Sequence, residues 1–421
     1  MSKKIIKSCN IVFDKDGKIS SFDSNCENLF KYNCSEAISD KRIFNLFHSD
    51  YIMHFINKFN NLINDNKLVI REEVLCLRKD GTKFIANIVL KKINFFYSLS
   101  VEENITSDYT LKSISSFFDK LHIIIRSKYL LGSIIPLLFS IVWSLKKYDN
   151  FSFSMLLILT IGVLFFHISA NTFNDYFDWV SGRDKLNKDY ILFSTGGSRA
   201  IDFKFISEKN LLIISIISFF IVLMSGIFII YTRGIEILYL GVFGALSVYF
   251  YSAPPLHLAS RYGIGELLHI LCLGPLFIYG CVLSLTGCAS FLEFYIGLPF
   301  GILITACLLI NEYPDFKSDK ISKKINLSVL VGVKYIPYLF IFLIFSAFLS
   351  VIILILNNYL SIIFLSIFLT LPYAISSIKS VFLIGNGREF MLESCSKSFK
   401  IYLFFSMFLI FSIIIEYIVY G

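Results

Sequence analysis

The 421-residue chain is 56% hydrophobic and 17% aromatic, and only 17% of it is charged, against roughly 25% in soluble domains. Its 45 Phe, 23 Tyr and 8 Pro exclude a disordered or collagen-like chain, since disorder needs low hydrophobicity and few aromatics, and a mean hydropathy of +0.69 indicates a membrane protein. The formal charge of +8 comes with no basic stripe and no aromatic RNA-binding signature, so nucleic acid is not an expected partner. Cytoplasmic loops of membrane proteins are basic in any case.

Residues 1 to 110 differ from the rest, with 16 Lys and Arg and 14 Asp and Glu. The start, MSKKIIKSCN, stays polar and has no signal-peptide core, so this part is expected in the cytoplasm. In Ile11 to Ile19 and again in Leu75 to Phe84 an Asp-Gly pair separates short apolar runs. Both predict β-hairpins closed by type I′ turns. Helical segments are expected around Glu27 to Phe30, Glu36 to Ile38 and Ile52 to Ile63, which gives an α+β domain. The nine cysteines (9, 26, 34, 76, 272, 281, 288, 307 and 395) contain no CxxC pair, and their spacing suggests neither a zinc site nor a disulfide framework.

Through DKDGKISSFDSNCENLFKYNCSEAI, LFHSDY and LRKDGTKFIANIVLKKI, this segment resembles PAS sensor domains over nearly its whole length. The resemblance implies a regulatory or associative role with an unknown ligand. Cys34 is out of register for the reactive cysteine of flavin photoreceptors, and His54 falls near the haem-ligand position of haem-binding relatives. A lone His on a helix is more often a packing residue.

Residues 111 to 128 (LKSISSFFDKLHIIIRSK) are too polar to span and predict an amphipathic helix lying in the membrane interface. From residue 129 to 421 nine apolar runs follow: 129 to 146, 152 to 174, 210 to 231, 235 to 251, 264 to 286, 291 to 311, 335 to 356, 358 to 377 and 399 to 419. Each is close to the roughly 20 residues a helix needs to cross a bilayer. The backbone must satisfy its own hydrogen bonds in lipid, so all nine are expected to be helical. The fold class expected is therefore an all-α polytopic bundle of nine transmembrane helices preceded by the small α+β domain. Loops after the even-numbered spans carry 15 Lys and Arg against 3 in the other set. This places the even loops and the N-terminus in the cytoplasm and Gly421 outside.

The second span ends with His167, Asn171, Asn174, Asp175 and Asp178 on one helical face, and the sixth ends with Asn311, Asp315 and Asp319 stepping four by four. Two helices thus bring paired acids to the same end of the bundle. Carboxylates at membrane depth are costly and are kept for function or pairing. Facing one another they repel unless a cation intervenes. All-oxygen donors of this kind suit Mg²⁺, with Mn²⁺ as a substitute, and a diphosphate would complete the cation's shell.

Read as NTFNDYFDWVSGRD (171 to 184) and NEYPDFKSD (311 to 319), the two segments make residues 125 to 421 resemble intramembrane aromatic prenyltransferases of the UbiA superfamily. The resemblance implies that Asp175, Asp178, Asp315 and Asp319 bind Mg²⁺, which holds the diphosphate of an allylic polyprenyl donor. Ser194 to Arg199 (STGGSR), Tyr251 to Leu256 (YSAPPL) and Gly263 to Glu266 (GIGE) are similar to the branch acting on 1,4-dihydroxy-2-naphthoate in menaquinone biosynthesis. His257, Tyr262 and the Lys323 to Asn326 stretch depart from that pattern. Lys185, Arg199, Lys320 and Lys324 are candidate phosphate clamps. His167, Asn171, Asn174, Asp184, Tyr251, Arg261 and Asn311 complete the expected substrate-binding set, and Phe173, Tyr176 and Tyr251 are candidates to shield an allyl cation. The rival reading is a membrane sensor or transporter with a non-catalytic bundle. Transporters usually show internal repeats and helices broken at mid-membrane, and no repeat beyond the two motifs is evident.

Overall fold

The structure is a computed structural model, and it describes residues 8 to 64, 69 to 93, 95 to 103, 117 to 187, 190 and 195 to 420. Two compact units divide it: residues 1 to 124 with 200 to 207, and residues 125 to 199 with 208 to 421.

In the first unit, strands β1 (Cys9–Phe13) and β2 (Ile19–Phe22) are followed by helices α1 (Ser24–Phe30), α2 (Cys34–Asp40) and α3 (Ser49–Asn64), then strands β3 (Val69–Leu77), β4 (Lys83–Ile93) and β5 (Phe96–Glu103). The strands form one antiparallel sheet in the order β2-β1-β5-β4-β3. Alternate residues such as Ile11, Phe13, Leu99 and Val101 point inward and are fully buried with Phe44, Phe55 and Phe59. Both expected hairpins are present, but their turns are longer than type I′. Asp14 N–H donates to Lys18 O at 3.0 Å and Arg78 N–H to Thr82 O at 2.9 Å, closing loops of three residues. The glycines supply the left-handed backbone there, with φ of +77° at Gly17 and +84° at Gly81. Asp14 and Asp80 instead accept from nearby N–H groups, as aspartates in turns do.

In the second unit nine helices among the described residues are long and apolar enough to cross a membrane. Of the interfacial stretch, residues 111 to 116 lie outside the described residues, and Phe117–Ile124 is a helix, α4, which still belongs to the first unit. Then come α5 (Leu131–Lys147), α6 (Phe153–Val180), the short α7 (Arg183–Leu186), α8 (Glu208–Arg233) and α9 (Ile235–Ser252). The fifth span is two helices, α10 (Ile264–Leu273) and α11 (Pro275–Thr286). Pro275 has no N–H to continue the ladder, and the break at Gly274 suits a close approach, because a Cβ there would lie 2.6 Å from Gly297 O. Next are α12 (Phe291–Asn311), α13 (Phe316–Ile321), α14 (Leu327–Val331) and α15 (Ile336–Leu356). The eighth span opens as a 3₁₀ helix (Ile362–Thr370) and continues as α16 (Leu371–Phe382), and α17 (Arg388–Tyr420) ends the bundle. Phe139, Phe300, Phe340, Phe364 and Phe405 fill a core shared by α5, α12, α15, the eighth span and α17.

The sixth span corrects one expectation. α12 stops at Asn311, residues 312 to 315 form turns, and α13 restarts at Phe316. Asn311, Asp315 and Asp319 therefore do not share one continuous helical face. Pro314 accounts for the break, since its ring cannot donate to Ile310 O and would clash with it.

Candidate functional site

The last turns of α6 carry Asn171, Asn174, Asp175 and Asp178 as the helical period requires. Asn174 Nδ2 donates to Asp178 Oδ2 at 3.1 Å, and Ser252 Oγ at the end of α9 donates to Asn174 Oδ1 at 2.9 Å. Arg183 Nη1 pairs with Asp178 Oδ1 at 3.1 Å. Asp175 is buried, ion-paired with Arg126, and accepts the Ser198 N–H at 3.2 Å.

Ser198 belongs to the Thr-Gly-Gly-Ser-Arg segment, of which the preceding Ser194 lies outside the described residues. The glycines are required there. Gly197 has φ +85°, and a Cβ on it would sit 3.0 Å from Asp175 Oδ1 and 3.1 Å from Arg126 Nη2. Gly196, with φ +69°, offers its N–H to Asp315 Oδ2 at 3.1 Å. Asp315 also accepts from Asn187 Nδ2 at 2.7 Å. The stretch after α6 therefore joins the first acidic motif to the second.

On the second motif, Asp319 accepts from Asn326 Nδ2 at 2.8 Å and pairs with Lys324 Nζ at 3.5 Å. Burial alone would lower the Lys324 ammonium, but the carboxylates of Asp319, Asp178 and Glu312 and the nearby Tyr251 outweigh it and hold the group well above its usual range. Lys324 thus stands amid acids of both motifs. Burial pushes Asp315 up to about 6, aided by Asp319 and opposed by Asn187. Asp184 is raised to about 8, chiefly by burial against the pull of Arg199. Asp319 is raised by burial, with Asp178 adding repulsion.

The other expected residues divide. Arg199 donates to Asp184 O, pairs with the Asp184 carboxylate at 3.6 Å and lies 4.0 Å over the Tyr190 ring. Asn171 Nδ2 donates to His167 O at 3.0 Å, while His167 Nδ1 lies 3.2 Å from Ser133 Oγ. Tyr251 and Asn311 are half-buried. Lys185 is exposed with Nζ 5.1 Å over the Trp179 ring, Lys320 is exposed, and Arg261 is exposed with Nε donating to Leu256 O at 2.9 Å. None of these last three is brought against the motif acids by a bond described here. Sequence reasoning missed Arg126, Arg183, Asn187, Glu312, Asn326 and the buried Glu266, whose Oε1 accepts the Leu327 N–H at 2.7 Å.

The donor set fits a hard divalent cation. Its oxygens are carboxylates and amides, burial and mutual repulsion raise Asp315 and Asp319, and Arg126 and Arg183 already set positive charge against Asp175 and Asp178. Among the described residues the four acids do not form one tight cluster of donors, and Mg²⁺ is usually held by one or two carboxylates together with substrate phosphates.

Fold and site define a polytopic membrane protein with a charged, oxygen-rich centre where two acidic segments meet. The chain belongs to the UbiA prenyltransferase family, whose model matches residues 133 to 409. It is 26% identical over 209 residues to a 1,4-dihydroxy-2-naphthoate octaprenyltransferase of Bacillus subtilis, a match covering 50% of this chain and 65% of that protein. A UbiA prenyltransferase domain-containing protein 1 of Dictyostelium discoideum is 27% identical over 205 residues, 46% of this chain and 58% of the relative. The chain thus spans less than two thirds of the length of these curated relatives. Among solved structures, a UbiA homologue from Archaeoglobus fulgidus bound to GPP and Mg²⁺ is similar at 15% identity and a TM-score of 0.49, covering 70% of this chain and 99% of that one.

Proposed function

We propose that the protein transfers a polyprenyl group from an allylic diphosphate to an aromatic acceptor, in a reaction dependent on Mg²⁺ or Mn²⁺. The observation that carries this reading is the joining of the two acidic motifs through Asn187, Gly196 and Lys324. Asp175, Asp178, Asp315 and Asp319 would hold the metal. Bound there, it supplies charge stabilisation for the departing diphosphate. Arg126, Arg183 and Lys324 pair with Asp175, Asp178 and Asp319, Arg199 pairs with the neighbouring Asp184, and with a metal held by the acids these cations could turn to phosphate oxygens. Phe173, packed against Phe177, Phe219 and Tyr249 with ring centroids 5.8 to 6.1 Å away, keeps water from the apolar side of the site.

The named Bacillus relative supports 1,4-dihydroxy-2-naphthoate as the acceptor class, and the resemblance of the STGGSR, YSAPPL and GIGE segments supports a place in menaquinone biosynthesis. Loop charge supports a cytoplasmic N-terminus and active-site loops, with Gly421 on the other side. The order of strands and helices in residues 8 to 103 supports a PAS-like regulatory module ahead of the bundle. The direct test is prenyl transfer in detergent extract from geranyl or longer diphosphates to a set of aromatic acids, with and without EDTA. Transfer that EDTA abolishes and Mg²⁺ restores is expected. Failure with every donor and acceptor, in protein that still binds Mg²⁺ and diphosphate, would favour a non-catalytic sensor.

A further inference from the structure

The cysteine spacing hides a juxtaposition that the fold creates. Cys9 opens β1, Cys26 lies in the first turn of α1, and both are 0% exposed. Their Sγ atoms and a carboxylate oxygen of Asp23 all lie within 4.8 Å of one another, the one such group of three donors among the described residues. Two sulfurs sharing a tetrahedral zinc ion, at about 2.3 Å each, stand roughly 3.8 Å apart, a separation that falls within that limit.

Asp23 is fixed before any ligand arrives. It caps α1, with Oδ1 accepting the Cys26 N–H at 2.8 Å and Oδ2 the Asn10 N–H at 2.7 Å. Each oxygen keeps a second lone pair, so capping does not use up its capacity as a ligand. Cys26 Sγ donates weakly to Asn10 O at 3.5 Å. A hydrogen bond with Cys9, then burial, hold the Cys26 thiol well above its usual range. A bound cation deprotonates a coordinating thiol outright, so the two sulfurs would ligate as thiolates. Asp23 is only half-buried, which leaves an approach for the ion and a position for water as fourth ligand.

We propose that Cys9, Cys26 and Asp23 form a binding site for a thiolate-preferring d¹⁰ cation of the zinc type. It is separate in sequence and in donor chemistry from the acidic motifs of the bundle. The bound ion clips the start of β1 to the start of α1, so metal supply sets the rigidity of this corner of the N-terminal unit.

The test is a titration of the metal-free, reduced full-length chain in detergent with Co²⁺, followed by competition with Zn²⁺. Oxygen-only donors produce no thiolate-to-cobalt charge-transfer band in the near ultraviolet, so the bundle acids do not contribute to the readout. One Co²⁺ per chain with that band, displaced by Zn²⁺, is expected. Cys9→Ser and Cys26→Ser should each weaken binding at least about 100-fold and remove or halve the band. Asp23→Asn, which keeps a capping oxygen, should weaken binding about 10-fold to 100-fold. Cys76→Ser changes another buried thiol of the same sheet and should leave the band intact. No band in the wild type, a band undiminished in either Cys9→Ser or Cys26→Ser, or equal loss with Cys76→Ser would overturn the site. So would a Cys9 to Cys26 disulfide in place of metal in chain isolated without reductant.

Discussion

Asn187 donates its side-chain N–H to Oδ1 of Asp315 over 2.7 Å, fixing the segment behind the first acidic motif to a carboxylate of the second, 128 residues further on. The bond also opposes the rise that burial imposes on Asp315. Asn187→Ala should lower prenyl transfer about 10-fold to 100-fold, the equivalent of about 1.5 to 3 kcal/mol for a hydrogen bond to a charged group. Asn187→Asp should be worse, because it puts a like charge beside Asp315. Steady-state rates at saturating donor decide it, and an unimpaired Asn187→Ala would mean the bond is incidental.

Asp175 and Asp315 differ in their partners, one held by Arg126 and the Ser198 N–H, the other by Asn187 and the Gly196 N–H. Asp175→Ala or Asp315→Ala should each abolish transfer while leaving the bundle folded. Loss of a metal ligand costs several kcal/mol in the transition state, so at least about a thousandfold in rate is expected. Near-normal turnover in either variant would remove the metal-diphosphate reading.

Arg126 has only 19% of its side chain exposed and faces an Asp175 that is 5% exposed. Arg126→Gln leaves that carboxylate unpaired, a change that costs about 3 to 5 kcal/mol in buried pairs. Thermal unfolding in EDTA should show a lower Tm than the wild type. Added Mg²⁺ should recover part of the loss, since the ion supplies the missing charge. A Tm deficit of the same size with and without Mg²⁺ would show that the metal does not reach Asp175.

How much of this was legible in the sequence depends on the range of the pattern. The face formed by Asn171, Asn174, Asp175 and Asp178 was readable because helical periodicity is local, and the nine spans were readable because lipid permits little but helix. Pro314 was visible too, and it should have warned that Asp315 and Asp319 would leave the face of Asn311. Arg126, Asn187 and Arg183 lie outside periodic segments, and basic residues beside a span look like ordinary topology signals. Arg126 and Asn187 act through contacts 49 and 128 residues away that no spacing encodes, and Arg183, five residues past Asp178, lies beyond the end of the helical face. The Asp-Gly hairpins announced themselves, yet β1 pairing with β5 could not be read, since it joins strands more than 80 residues apart.

Glu72 in the N-terminal unit pairs with Lys58 at 2.8 Å and with His54 Nε2 at 2.8 Å. Burial alone would raise this carboxyl, but Lys58 and His54 outweigh it and hold it below the usual carboxylate range. A depressed carboxyl stabilises the fold above its unfolded pKa of 4.5 and loses that contribution as pH falls through the folded value. Thermal unfolding of the full chain between neutral pH and pH 3 should show a shallower acid loss for the N-terminal unit in Glu72→Gln than in wild type. Identical acid limbs would mean the pair contributes nothing. Haem binding at His54 would have to displace this partner, so haem titration should leave the unfolding profile unchanged.

The bundle should catalyse transfer without the N-terminal unit. Both acidic motifs, the cations set against them and the family match at 133 to 409 lie beyond Ile124, where the second compact unit begins. The first unit has its own sheet and its own buried aromatic core. Domains joined in this way generally move relative to one another, and loss of one need not unfold the other. A chain beginning at Leu111 retains α4, Arg126 and all nine membrane-length helices. It should insert and transfer a prenyl group, with an altered rate or an altered response to redox state or metabolites as the signature of lost regulation. Activity per inserted chain, measured against the full-length protein in the same lipid, decides the matter. A stably inserted but wholly inactive bundle would mean that the N-terminal unit completes the site or holds the bundle in its working form, and the two-module reading would then fail.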